Sequence, residues 1–130
     1  HVNDIAGIRV ICSFTSDIYR IAEMISNQND IKVLAIKDYI KAPKPSGYKS
    51  YHMLVTVPIY LSDRIVHAKV EIQIRTVAMD FWASLEHKIN YKFEGNVPEY
   101  IKEELVECAN MISDVDARML KLNEEIRDMN

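Results

Sequence analysis

The sequence predicts an α/β sandwich, a mixed sheet packed with helices in the order β-α-β-β-β-α-α and closed by one long helix. Four short runs rich in Ile, Val and Tyr lie within residues 5–75, separated by polar, Pro or Gly breaks. Three further stretches repeat apolar residues at helical spacing, the last running to the C-terminus.

Ile5–Phe14 is an apolar run interrupted by Arg9, which predicts a buried strand. Thr15 or Ser16 is placed to cap a helix lined by Ile18, Ile21, Ala22 and Ile25. A polar break at 27–30 precedes a second strand, Lys32–Ile40. Tyr51–Ile59 predicts a third strand and Arg64–Arg75 a fourth, with Ser62-Asp63 as the turn between them. Thr76 suits the cap of a helix to about Lys92, with Ala78, Trp82, Leu85 and Ile89 at helical spacing and Trp82 in the core. A Gly/Pro loop at 94–98 separates it from the last helix.

The chain has 130 residues, 48% apolar and 27% charged, enough for one domain with a core. Its net charge of −3 excludes an overall basic field, so any anion site is local. Two cysteines without a CxxC pattern suit a reducing cytoplasmic setting, with Cys12 an inert thiol in an apolar strand. His67 and His87 are too scattered for a zinc site. No apolar run has the length of a membrane span and no signal peptide is visible. The chain begins at His1, almost directly on a strand, as expected of a protein without its N-terminal part.

Three features point to chemistry. Lys41–His52 gathers Pro43, Pro45, Gly47, Lys41, Lys44, Lys49, Tyr48 and Tyr51 between two strands. A cationic, aromatic loop suits a nucleotide, ammonium groups for phosphate and a ring for the base. A surface loop merely stiffened by its prolines is the alternative. In the fourth strand, His67, Lys69, Glu71, Gln73 and Arg75 share one face and Val66, Ala68, Val70, Ile72 and Ile74 the other. The polar face is either solvated or a working surface centred on Glu71. Asp4, at the start of the first strand, is either an ordinary strand-end residue or a Mg²⁺ ligand.

Four motifs, Asp4-Ile-Ala-Gly-Ile-Arg-Val10, Lys37-Asp-Tyr-Ile40, Pro43-Lys-Pro-Ser-Gly-Tyr-Lys-Ser-Tyr-His52 and Glu71-Ile-Gln-Ile-Arg-Thr76, occur in the order and spacing of the RelA/SpoT synthetase domain. With Ala78-Met-Asp-Phe-Trp-Ala-Ser-Leu-Glu-His87 and the long final helix, the chain resembles the small alarmone synthetases of that family. The resemblance implies a nucleotidyltransferase-like fold, similar to the polymerase-beta palm. It implies transfer of the β,γ-pyrophosphate of ATP to the ribose 3′-hydroxyl of GDP or GTP, with Mg²⁺. By the same resemblance, Glu71 and Asp4 are the catalytic and metal-holding carboxylates. Tyr48 stacks on guanine through its ring rather than its hydroxyl. Lys37, Lys44, His52 and Ser46 contact the acceptor nucleotide, Arg9 lies on the ATP side, and Gln73 and Arg75 support the pocket. The family's other ATP-binding Arg and Lys precede the Asp4 strand, on segments outside this chain. The expectation is therefore synthesis by the parent protein and weak guanine-nucleotide binding by residues 1–130 alone. A catalytically silent guanine-nucleotide- or RNA-binding module is the alternative.

The last helix carries a separate signal. Ile101, Leu105, Cys108, Ile112, Val115, Met119, Leu122 and Ile126 alternate in steps of four and three, a heptad seam. Residues 98–129 as one helix span about 48 Å, longer than a small domain is wide. The seam predicts self-association into a dimer or tetramer, as the resemblance also implies. The alternative is a bend at Ser113-Asp114 that folds the helix back on its own sheet.

Overall fold

The computed structural model describes residues 4–129. The elements are β1 (Ile5–Cys12), α1 (Thr15–Ser26), β2 (Lys32–Asp38), β3 (Tyr51–Tyr60), β4 (Ile65–Thr76), α2 (Val77–Lys92) and α3 (Glu99–Asp128). One four-stranded sheet has the order β1-β4-β3-β2. β1 runs parallel to β4, and the other pairs are antiparallel. The predicted order and mixed sheet are therefore present. Among the described residues, no helix is long and apolar enough to cross a membrane.

Strict alternation in β3 and β4 gives the sheet two unlike faces. Met53, Val55, Val70, Ile72 and Ile74 point to one face and bury with Ile18 and Ala22 of α1. Ile18, Met53, Val55 and Ile74 have no exposed surface. Each such side chain contributes about 1.5–3 kcal/mol by leaving water. The opposite face carries Glu71, Gln73, Leu54 and His52, all only half-buried. A second, smaller core joins Trp82 and Ala83 of α2 to Leu105 and Ala109 of α3.

Thr76 joins the two cores. It ends β4, caps α2 as expected by accepting from the Met79 N–H at 3.2 Å, and donates to Asp116 Oδ2 of α3 at 2.8 Å. Asp116 is 8% exposed, although its helix position had no sequence signal of burial. Burial pushes its carboxyl above the ordinary range, against the Thr76 hydrogen bond and the charge of Lys49.

Several expected details differ. β1 stops at Cys12, and α1 is capped at Phe14 rather than Thr15 or Ser16, because the Asp17 carboxylate reaches back to the Phe14 N–H at 3.2 Å. β2 stops at Asp38, whose Oδ1 accepts from the Ile40 and Lys41 N–H groups and turns the chain. In α2 the buried residues are Met79, Trp82 and Ala83, while Leu85 is 46% exposed, because α3 meets the helix along a different stripe. The Trp82 indole donates to the Leu105 carbonyl at 2.8 Å, the polar requirement of a buried ring. α3 begins after Pro98 and is a single helix through Ser113-Asp114. Its seam divides in two: Leu105 is buried and Ile101, Cys108 and Ile112 are half-buried against α2, whereas Val115, Met119, Leu122 and Ile126 are exposed.

Thr76→Val keeps the side-chain shape but removes both hydrogen bonds. Urea denaturation should show a loss of about 1–3 kcal/mol, a missing cap plus an unpaired buried group. The Asp116 carboxyl has the opposite sign to a salt-bridged carboxylate. Its stabilising contribution is fully present below its ordinary pKa of 3.8 and is lost as pH rises through its raised folded value. Asp116→Asn should flatten that part of the pH–stability profile.

Candidate active site

The strand registers assemble one row across the open face of the sheet. Lys37 pairs with His52, His52 with Gln73, and Gln73 with Arg9. The next row runs Leu54, Glu71, Gly7. Thus Glu71 stands mid-sheet beside a glycine. A methyl group built on Gly7 would meet nothing within 4 Å, so the side of Glu71 facing β1 is open space.

A continuous hydrogen-bond chain holds this face. Glu71 Oε1 accepts from the Gln73 amide at 2.9 Å, and Gln73 Oε1 accepts from Arg75 at 2.7 Å. Arg75 also donates to the Tyr48 hydroxyl at 2.7 Å, which lies 3.0 Å from His52 Nε2. The Arg75 guanidinium donates further to Ser50 Oγ at 3.3 Å and to Asp80 Oδ1 at 3.0 Å. Arg75 is 5% exposed, and its planar fork satisfies three elements at once. Arg9 approaches the same Asp80 oxygen at 3.5 Å and remains mostly exposed.

The loop's positive charge, read as one cluster in the sequence, divides three ways. The Lys44 ammonium lies over Tyr39 and Tyr48, at 4.9 and 5.1 Å from the ring centroids. The Lys41 ammonium lies over Tyr19 of α1, 5.3 Å from its centroid. Lys49 turns to α3 and donates to the Ala109 carbonyl at 3.4 Å. Tyr51 is a core residue, edge-on to Tyr19 at 5.6 Å, because its strand position faces α1. Only Tyr48 and Lys44 of the loop's rings and cations therefore meet the polar row.

Two other expected site residues stand apart from it. Ser46 is exposed on the loop's turn, its Oγ accepting from the Tyr48 N–H at 3.4 Å. Asp4 is exposed and precedes β1, three residues before the Gly7–Glu71 rung, or about 10 Å along an extended chain. Among the described residues, no three His, Cys, Asp or Glu side chains gather at metal-holding range.

The sequence reading missed the contribution of α2. Ala83, Ser84, Glu86 and His87 line a cavity of about 360 Å³ with Arg9, Tyr48 and Arg75. Asp80 had a usable signal, an acidic residue in the first turn after the Thr76 cap. His87, expected to be an ordinary histidine, is on the cavity wall. The hydroxyl of Tyr48 anchors its ring between a buried arginine and His52.

An α/β domain with a carboxylate set mid-sheet near cations, and a cationic, aromatic loop beside it, has the chemistry to receive a phosphate-bearing ligand. The chain belongs to the RelA/SpoT family: the family model for a region found in RelA/SpoT proteins matches residues 1–96. It is 48% identical over 126 residues to the GTP pyrophosphokinase YwaC of Bacillus subtilis (strain 168), covering 97% of this chain and 60% of that protein. The crystal structure of small alarmone synthetase 2 from Bacillus subtilis is similar at a TM-score of 0.91 and 48% identity, over 96% of this chain and 68% of that one. Small alarmone synthetase 1 from Bacillus subtilis, bound to its product pppGpp, is similar at a TM-score of 0.87 and 42% identity, over 92% of this chain and 62% of that one. The chain thus spans 60% of the length of its curated relative.

His52 provides a direct check on this electrostatic arrangement. Burial lowers its pKa below the ordinary 6.5, opposed by Glu71 and reinforced by Arg75, Lys44 and Lys37. An NMR titration should therefore find His52 neutral at pH 7. Glu71→Gln should lower its pKa further, and Lys44→Met should raise it.

Proposed function

We propose that the parent protein is a pyrophosphokinase that transfers the β,γ-pyrophosphate of ATP to the ribose 3′-hydroxyl of GDP or GTP, releasing AMP and (p)ppGpp. The observation that carries this reading is Glu71, set beside the open space over Gly7 and linked through Gln73 and Arg75 to Tyr48 and His52. The relatives' names, a GTP pyrophosphokinase and an alarmone synthetase bound to pppGpp, support the same chemistry.

In this reading Glu71 accepts the proton of the attacking 3′-hydroxyl while the Gln73 amide fixes the carboxylate's orientation. Guanine stacks on Tyr48 and takes the place of the Lys44 ammonium, which is then available to phosphate. Lys37, at the edge of the His52 row, supplies a second cation for the acceptor's phosphates, and Ser46 is a loop contact beside them. Arg9, exposed and near Asp80, faces the donor, and Arg75 supports the pocket from beneath. The residues that would hold Mg²⁺ are Glu71, mid-sheet beside the open space over Gly7, and Asp4 at the exposed start of β1; both offer hard oxygen, and this ion needs only one or two carboxylates. When bound with the nucleotide phosphates, Mg²⁺ supplies charge neutralisation on the transferred group. Such an enzyme works in the cytoplasm, where both nucleotides are abundant. In this reading residues 1–130 hold the acceptor half of the site.

A second copy of the chain is the partner we assign to the outer half of α3. Val115, Met119, Leu122 and Ile126 are each at least 51% exposed on one stripe of a helix that extends about 45 Å. Burying each against a partner is worth up to about 1.5–3 kcal/mol.

Two measurements test these assignments. In the full-length protein, Glu71→Gln should lower AMP formation from ATP and GDP by about 10²–10⁴-fold while GDP binding persists; near-native turnover would remove Glu71 from its role. Val115→Asp with Met119→Asp should shift light-scattering mass to monomer with the circular dichroism spectrum retained. An unchanged mass would assign the interface elsewhere.

A further inference from the structure

Gly47 forms the crest of the loop, with a φ of +98° that side chains rarely adopt. The loop closes on itself through the Gly47 N–H to the Lys44 carbonyl at 2.9 Å and the Lys44 N–H to the Tyr48 carbonyl at 3.1 Å. The closed turn then sits on α3. A methyl group built on Gly47 would stand 2.8 Å from the Ala109 Cβ, 3.3 Å from Trp82 Cζ2 and 3.5 Å from the Val106 Cα. Ala109 is itself 3% exposed, and only about 10 Å³ of space remains between Gly47, Lys49, Met79, Trp82, Ala109 and Ile112. Lys49 ties the far side of the turn to the Ala109 carbonyl. Burial lowers the pKa of this lysine, opposed by the charge of Asp116.

Tyr48 is therefore held at two ends. Its hydroxyl is bound to Arg75 and His52 on the sheet. Its backbone follows directly on the glycine that rests on Ala109. With the hydroxyl fixed, any lift of the backbone tilts the ring. We propose that Ala109 is a positioning residue for the guanine nucleotide: from α3 it sets the height of the loop, and so the plane in which the Tyr48 ring stands. The proposal rests on the reading of Tyr48 as the guanine platform. The side chain at 109 must be small, because a larger one displaces either the loop or the helix. A displacement of about 1 Å at a binding group is enough to cost up to about 10²-fold in function.

The test is calorimetric titration of the full-length protein with GDP and, separately, with a non-hydrolysable ATP analogue. Ala109→Leu should bind GDP roughly tenfold more weakly, within the range spanned by loss of one base stack, with affinity for the ATP analogue unchanged. Ala109→Ser should behave as wild type. Native GDP affinity in folded Ala109→Leu, or equal losses for both nucleotides, would overturn the proposal. Should Ala109→Leu fail to fold, Lys49→Met decides. It keeps the aliphatic stem and removes the tie to the Ala109 carbonyl, so selective weakening of GDP supports the proposal and native GDP affinity overturns it. Tyr48→Ala run alongside separates the two readings. If it weakens GDP while the Ala109 and Lys49 variants do not, only the positioning role falls; if it too binds GDP normally, the guanine-platform reading falls with it.

Discussion

The buried guanidinium of Arg75 is the interaction on which the rest of the site depends. A charge this far from water is tolerated only when its donors are paired. Here they are distributed to Gln73 on its own strand, Ser50 and Tyr48 at the end of the loop, and Asp80 on α2. One side chain thereby fixes the carboxylate's neighbour, the Tyr48 ring and the helix that walls the cavity. Replacement by lysine would keep the charge and lose the planar fork, leaving several polar groups without partners.

Much of this was legible in the sequence because alternation and spacing are local. The polar face of β4 followed from counting by twos, and Thr76 as a cap from its position between a strand and a helical pattern. Relations between distant segments were not legible. Nothing in the residues around Asp116 predicts burial, which comes from the Thr76 hydroxyl 40 positions earlier in the chain. Tyr51 and Tyr48 have the same composition signal, yet one lies under α1 and the other beside His52, because Tyr51 stands on β3 facing α1 while Tyr48 precedes the strand in the loop. The three loop lysines diverge as well: each follows the ring or carbonyl that folding brings to it. Glu86 and His87 were invisible as cavity residues until α2 was placed against the loop.

The two small cores explain why polar contacts matter structurally here. Besides Met79, which meets Trp82 and Ala109 around one small gap, the hydrogen bond from Thr76 to Asp116 links the sheet and α2 to α3. Lys49 adds a second polar tie from the loop to α3. Hydrogen bonds of this kind contribute modestly when made and cost more when one partner is removed. The architecture is therefore sensitive to loss of single polar groups at places where a larger core would be indifferent.

The sheet buries its main core on one face and leaves much of the other half-buried or exposed. Lys37 and Lys69 are exposed there, so their identity is nearly independent of folding. Substitutions at such exposed positions carry little penalty in stability. A scaffold arranged this way lets descendants of one ancestral sequence vary that face by single steps, each folding as well as the last.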